Sequence, residues 1–279
     1  MITWYRWCIA IAMPAMLVAC GHHMSGAGGA DGGGGGGGGD GSIDAPVFSG
    51  MCNPGGPQCS NCKDDDGDGK IDGFDLQCTG PNDNDESSFA TGIPGDNKDP
   101  VEQDCFFDGD SGAGNDGCNI HVCCLLGATK IADCPESLGR NKYDPAACPP
   151  PIGTGSLDPK CIKTCGKLAP PGCDCFACCT ICDPVSGACQ DIDINPAVSP
   201  DCTPATLSDP TKCLRCTKNT QCNGGSCGGD TCTLCPGQTM LPPGCNGMTS
   251  CPDGEATCTN GTCPMNTYCS NGCCIAVIL

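Results

Sequence analysis

The chain has 279 residues and carries 32 Asp and Glu against 13 Lys and Arg, a formal net charge of −19. That balance argues against nucleic acid and anionic membrane surfaces as partners and suits divalent or cationic ones. Glycine (43), proline (25) and cysteine (34) are abundant while aromatics reach only 4%, so apolar burial alone cannot offset the roughly 1–2 kcal/mol of backbone entropy lost per ordered residue. Cysteine is denser than the roughly 8–10% that marks disulfide scaffolds, and such density stays oxidised only in an oxidising compartment. The expected fold is therefore small, disulfide-rich and largely irregular, with short helices, small β-hairpins and no large hydrophobic core. A (β/α)₈ barrel of this length would need eight buried β-branched runs alternating with amphipathic helices, and the sequence has none.

In chain order, Met1–Trp7 holds one basic residue, Arg6, and is followed by the apolar run Cys8–Ala19. That run is shorter than the about 20 residues a membrane-spanning helix needs, and it suits the core of a signal peptide. It ends in Leu17-Val18-Ala19-Cys20, which resembles the bacterial lipobox. The resemblance implies a signal peptide over residues 1–19 and lipidation of Cys20. Gly21 rather than Asp at the next position favours the outer membrane and the cell surface, with the lipid anchor holding the protein to the membrane. Loss of Cys8 and lipidation of Cys20 leave an even number of cysteines, consistent with complete pairing. Residues 20–50 combine the lipidated Cys with a tether. Its glycine run, Gly32–Gly39, makes Gly21–Pro46 a flexible coil of roughly 25–30 Å reach. No strand precedes its GxGxxG-like patterns and no helix follows them, so they are not a nucleotide loop.

Residues 51–200 read as a cysteine-rich domain that opens with the one sharp metal motif, DDDGDGKIDGFD at 64–75. Asp64, Asp66 and Asp68 fall at positions 1, 3 and 5 of a twelve-residue calcium loop. Gly69 stands at 6, Lys70 offers its carbonyl at 7, and Asp72 and Asp75 stand at 9 and 12. Alternating carboxylates can wrap one hard cation, and Gly at position 6 allows the sharp turn with positive φ. Asp at 12 is shorter than the usual Glu, and the flanking Pro and Gly residues argue against the two helices of an EF-hand. The expected cofactor is thus a structural, weakly held calcium, at about 10⁻⁴–10⁻³ M. Cys62 and Cys78 flank the loop and are expected to staple its ends by bonding each other or near neighbours.

The acidic run Asn82–Glu86 reads as a solvated linker. Asp99-Pro100-Val101-Glu102 carries an N-cap, a Pro at N1 and a Glu at N3, which predicts a short helix to about Phe107. Asp158-Pro159 predicts a second helix over Lys160–Leu168, with Cys161 and Cys165 one turn apart on one face. Gly109-Asp110-Ser111-Gly112 matches the surroundings of a trypsin-like nucleophile. Yet His121 follows that Ser, against the order in that family, and reads as a surface residue. Five CxxC pairs (Cys59/Cys62, Cys175/Cys178, Cys179/Cys182, Cys213/Cys216, Cys232/Cys235) would suggest zinc in a reduced chain. Export turns that expectation to disulfides. The vicinal pairs Cys123-Cys124, Cys178-Cys179 and Cys273-Cys274 are expected to bond two separate partners each. Residues 201–279 read as hairpin modules, with Asn-Gly turns at Asn223-Gly224, Asn260-Gly261 and Asn271-Gly272.

Three stretches, GFDLQCTGPNDNDESSFATGIPGDNKDP, QDCFFDGDSGAGNDGC and PPGCDCFACC, resemble the cysteine-rich surface lipoproteins of myxobacteria over residues 51–190. The resemblance implies architecture and location and carries no chemistry. The expected role is structural or adhesive rather than enzymatic, with an extracellular protein or polysaccharide as the partner. The alternative is a ligand-binding or inhibitor protein acting through exposed loops between disulfides, for which Phe106-Phe107 is the best candidate.

Overall fold

The computed structural model describes residues 55–92, 98–108, 116–238, 240–241, 243–245, 251, 255–258, 263–264, 267–270 and 272–276. The signal peptide, Cys20, the tether and the Gly109–Gly112 tetrapeptide lie outside them. The body is disulfide-rich and mostly irregular, as the composition predicts. Among the described residues, fifteen disulfides bind two short helices and three two-stranded antiparallel sheets. No helix among them is long and apolar enough to cross a membrane.

Strand β1 (Glu102–Gln103) pairs with β2 (Ile120–His121). The predicted helix from Asp99 therefore does not form. Its cap signal survives as a turn, Asp99 Oδ1 accepting from the N–H groups of Val101 (2.8 Å) and Glu102 (3.2 Å). The chain then extends, because Gln103 is drawn into the interior to accept a hydrogen bond from Asn195 Nδ2 at 2.8 Å. Phe106 is buried at 1% exposure, so the pair Phe106-Phe107 is core and not an exposed binding loop. Helix α1 (Val122–Leu125) begins at His121, whose Nδ1 accepts from the Cys123 N–H at 3.2 Å while Nε2 lies 3.3 Å from the Gly139 carbonyl. His121 is thus a capping residue that is half-buried, and its bonds fit the neutral Nε2–H tautomer.

Helix α2 (Pro159–Thr164) forms where the sequence predicts it, Asp158 accepting from Lys160 N–H at 2.8 Å, and a 3₁₀ turn continues it to Lys167. Its two cysteines reach different segments, Cys161 to Cys118 and Cys165 to Cys105. Strands β3 (Cys178–Cys182) and β4 (Cys189–Asp193) form the longest hairpin. Successive side chains on β3 point to opposite faces, so Cys178 bonds Cys216 while Cys179 bonds Cys173. The other vicinal pairs behave alike: Cys123–Cys134 with Cys124–Cys148, and Cys251–Cys273 with Cys263–Cys274. No CxxC pair closes on itself; Cys175–Cys222 and Cys178–Cys216 instead cross the 200/201 division read from the sequence. Strands β5 (Thr267–Ser270) and β6 (Cys273–Ala276) form the C-terminal hairpin, with Gly272 at φ 86° in its turn.

The core is correspondingly unusual. Half-cystines are the commonest residues of the larger cluster, packed around Val122, Leu125, Tyr143 and Phe176. A second cluster joins Phe89, Phe106, Ile181, Ile192 and Leu207. Phe89, 1% exposed, draws the acidic segment before it against the body.

Candidate metal centre

The 64–75 segment folds as a loop in which Asp64, Asp66 and Asp68 accept hydrogen bonds from the chain's own N–H groups. Asp64 accepts from Gly67 N–H at 2.7 Å and Gly69 N–H at 3.0 Å. Asp66 accepts from Asp68 N–H (3.0 Å), and Asp68 from Lys70 N–H (2.7 Å). Gly67 and Gly69 stand at φ 81° and 89°, and a Cβ at either would meet nothing within 4 Å. Glycine is needed there for conformation and not for space. Asp64, Asp66 and Asp68 are exposed.

Asp75 is the exception. It is 4% exposed, and Oδ1 accepts from Gln77 N–H at 2.7 Å, while Oδ2 is buried with no hydrogen-bond partner. Its pKa is raised to about 7, chiefly by burial and also by the charges of Asp68, Asp66 and Glu86, against the opposing Gln77 hydrogen bond. The charges of positions 3 and 5, Asp66 and Asp68, thus reach Asp75 at position 12. The three ion pairs among the described residues lie elsewhere. Carboxylate oxygens are the donors that a hard cation takes, and the Lys70 carbonyl stands in the same loop.

Asp72 is placed differently. It sits at φ 48°, and its oxygens accept from Asn61 N–H (3.0 Å) and Cys62 N–H (2.9 Å). It joins the loop to the preceding turn, and burial raises its pKa to about 6. The structure thus lets the charges of Asp66 and Asp68 act on Asp75, holds Asp64 on the loop's own N–H groups, and turns Asp72 to the N–H groups of Asn61 and Cys62.

Glu86 is the residue that the sequence reading missed. Fully buried at 0% exposure, it accepts from Asp65 N–H at 2.6 Å and Asp72 N–H at 2.9 Å, clasping both halves of the loop. Burial raises its pKa, and the two hydrogen bonds oppose that. Its neighbour Asp83, 2% exposed, accepts from Thr79 N–H and Thr79 Oγ1. The run Asn82–Glu86 is therefore not a solvated linker: Asp83 and Glu86 are buried and brace the loop, while Asn84 stays exposed. Phe89, three residues on, was the available signal: a large apolar residue anchors the chain and carries the acidic run inward.

The loop is held at its ends as well. Cys78 bonds Cys59, a near neighbour of Cys62, and Cys62 is disulfide-bonded too. On the far side Gly73 lies against the backbone of β5, where a Cβ would meet the Cys269 carbonyl oxygen at 1.9 Å. His121, Cys123 and Cys134 also lie close enough to suggest a metal, but Cys123 and Cys134 bond each other. Disulfide sulfur is no thiolate ligand. No protein-family model, curated protein or solved structure matches the chain.

Proposed function

We propose that this protein is an exported lipoprotein, anchored at the outer membrane through Cys20, whose cysteine-rich body has a structural or adhesive role and is stiffened by calcium in the 64–75 loop. The observation that carries the calcium reading is Asp75 Oδ2, buried without a hydrogen-bond partner among the charges of Asp66 and Asp68. A buried carboxylate oxygen left unpaired is costly, and a cation relieves it. The fifteen disulfides support export, since they require an oxidising compartment. The tetrapeptide Leu17–Cys20 supports the anchor. Calcium acts here as a local clamp: it neutralises the four carboxylates and orders a loop whose ends are already fixed.

Limited proteolysis of the exported protein tests the clamp. Calcium at a few times the expected Kd, about 10⁻³ M, should protect residues 62–78 in the wild type and not in Asp64→Ala/Asp68→Ala. An identical response in both proteins refutes it. Cys20→Ser should move the protein out of the membrane fraction and abolish acyl labelling; retention of both refutes the anchor.

A further inference from the structure

The segment between Cys105 and Cys118 is fastened at both ends to one helix. Cys105 bonds Cys165 and Cys118 bonds Cys161, four residues apart at the two ends of a single turn. Residues a few positions inside those two cysteines are thereby brought near one another, among them Asp108 and Asp116. Carboxylate oxygens of Asp108 and Asp116 lie within 4.8 Å of one another and of Cys105 Sγ. Asp116 is 5% exposed; its Oδ1 accepts from Cys118 N–H at 2.9 Å, while its Oδ2 is buried with no hydrogen-bond partner. It takes part in none of the three ion pairs among the described residues. A third carboxylate adds to the negative field. The Oδ2 of Asp158 lies 3.2 Å from where a Cβ on Gly117 would stand.

We infer that Asp108 and Asp116 form a second cation site, separate from the 64–75 loop, whose ligand is a hard divalent ion of the calcium type. Two carboxylates held at this separation repel when ionised, and a cation between them removes both the repulsion and the unpaired oxygen. Cys105 Sγ is already oxidised, so the site offers oxygen and no thiolate, which excludes a zinc–thiolate centre. Calcium tolerates irregular coordination completed by water and carbonyls, whereas magnesium demands a near-ideal octahedron. The two disulfides lower the ordering cost of binding, because they hold the ligands side by side before the ion arrives. The ion would tie Asp108 to Asp116 between the Cys105–Cys165 and Cys118–Cys161 bridges.

Hydrogen exchange on the full exported chain, disulfides intact, tests this with calcium as the probe at about 5 mM, above the expected Kd. Calcium should slow exchange of the amides between Cys105 and Cys118 in the wild type, and equally in Asp64→Ala/Asp68→Ala, where the first loop is disabled. Asp108→Asn, at a half-buried position, should abolish that slowing while leaving the calcium response of residues 62–78 intact. Asp116→Asn should do the same, and equilibrium dialysis should find one calcium fewer per chain in either variant. The proposal is overturned if calcium leaves the 105–118 amides unchanged in the wild type. It is equally overturned if Asp108→Asn keeps the full slowing, which would mean that the calcium effect does not arise between Asp108 and Asp116. Loss of the 105–118 response in Asp64→Ala/Asp68→Ala would also overturn it, by making the effect a consequence of the first loop.

Discussion

Replacing Asp75 by Asn should reverse the sign of calcium's effect on relative stability. Without a cation, burial and the nearby carboxylates raise Asp75 from 3.8 to about 7. An acid whose folded pKa is raised contributes stability below its unfolded pKa and loses it as pH climbs through the folded value. The gap is about three pH units, and at about 1.4 kcal/mol per unit the ionised side chain costs up to about 4 kcal/mol above pH 8. Asp66 and Asp68 are exposed, so solvent screening lowers the figure to about 2 kcal/mol. Asn has the same shape without the charge, and its amide can donate to the neighbouring carboxylates. In chelator at pH 8, Asp75→Asn should therefore unfold at higher denaturant than the wild type. The difference should shrink as pH falls and close only below about pH 3.8, where Asp75 is protonated in the folded and unfolded chain alike. In about 10 mM calcium the wild type should gain about 1 kcal/mol and the variant nothing. Denaturant unfolding with disulfides intact reads all three conditions. A variant less stable than wild type in chelator at pH 8, or one that keeps the wild-type calcium increment, would refute the reasoning.

Glu86→Gln should cost about 1–3 kcal/mol, because the new amide turns an N–H group toward a backbone donor, Asp65 or Asp72. It should also weaken calcium binding measured by calorimetry; unchanged affinity would mean that the clasp does not shape the loop. Opening Cys118–Cys161 by a double Ala substitution removes a cross-link of sequence separation 43 and should lower stability by about 4 kcal/mol, read by thermal melting. At the other end of β4, burial raises Asp174 to about 7 and lifts Asp193 well above its ordinary value. Both groups favour the fold when protonated, so stability should fall as pH rises through about 7. Asp193→Asn keeps its position neutral at every pH, and its advantage over wild type should be absent below about pH 3.8 and grow as pH rises toward 9. A gap that stays flat across that range would show that Asp193 does not titrate with folding.

What the sequence made legible is what depends on neighbours a few residues away. The spacing of Asp64, Asp66, Asp68 and Gly69 is a local matter, and the loop closes on its own N–H groups as that spacing requires. The cap and proline before α2 work in the same way. Oxidation of the cysteines followed from their number and from the export that the N-terminus leads one to expect, and the separate partners of vicinal cysteines follow from the alternation of side chains along β3. Partners themselves were not legible. A disulfide needs Cα atoms about 4.4–6.8 Å apart, and only the folded path brings Cys175 to Cys222 across 47 residues.

The same distinction explains the misread segments. Asp99 carries every local mark of a helix start, yet Asn195, 92 residues away, claims Gln103 and the chain extends into a strand. Acidic residues in a row favour solvent on composition alone, yet Phe89 and the hydrogen bonds awaiting Glu86 from Asp65 and Asp72 outweigh that preference. Local preferences are worth about 1 kcal/mol or less per residue, whereas fully burying a phenylalanine is worth about 1.5–3 kcal/mol. In a chain with six phenylalanines, each one that reaches the core therefore decides the course of the residues around it. The ligands of the loop can be read from spacing because one short segment supplies them. The brace that orients those ligands comes from outside the segment, and it is visible only once Phe89 has been placed.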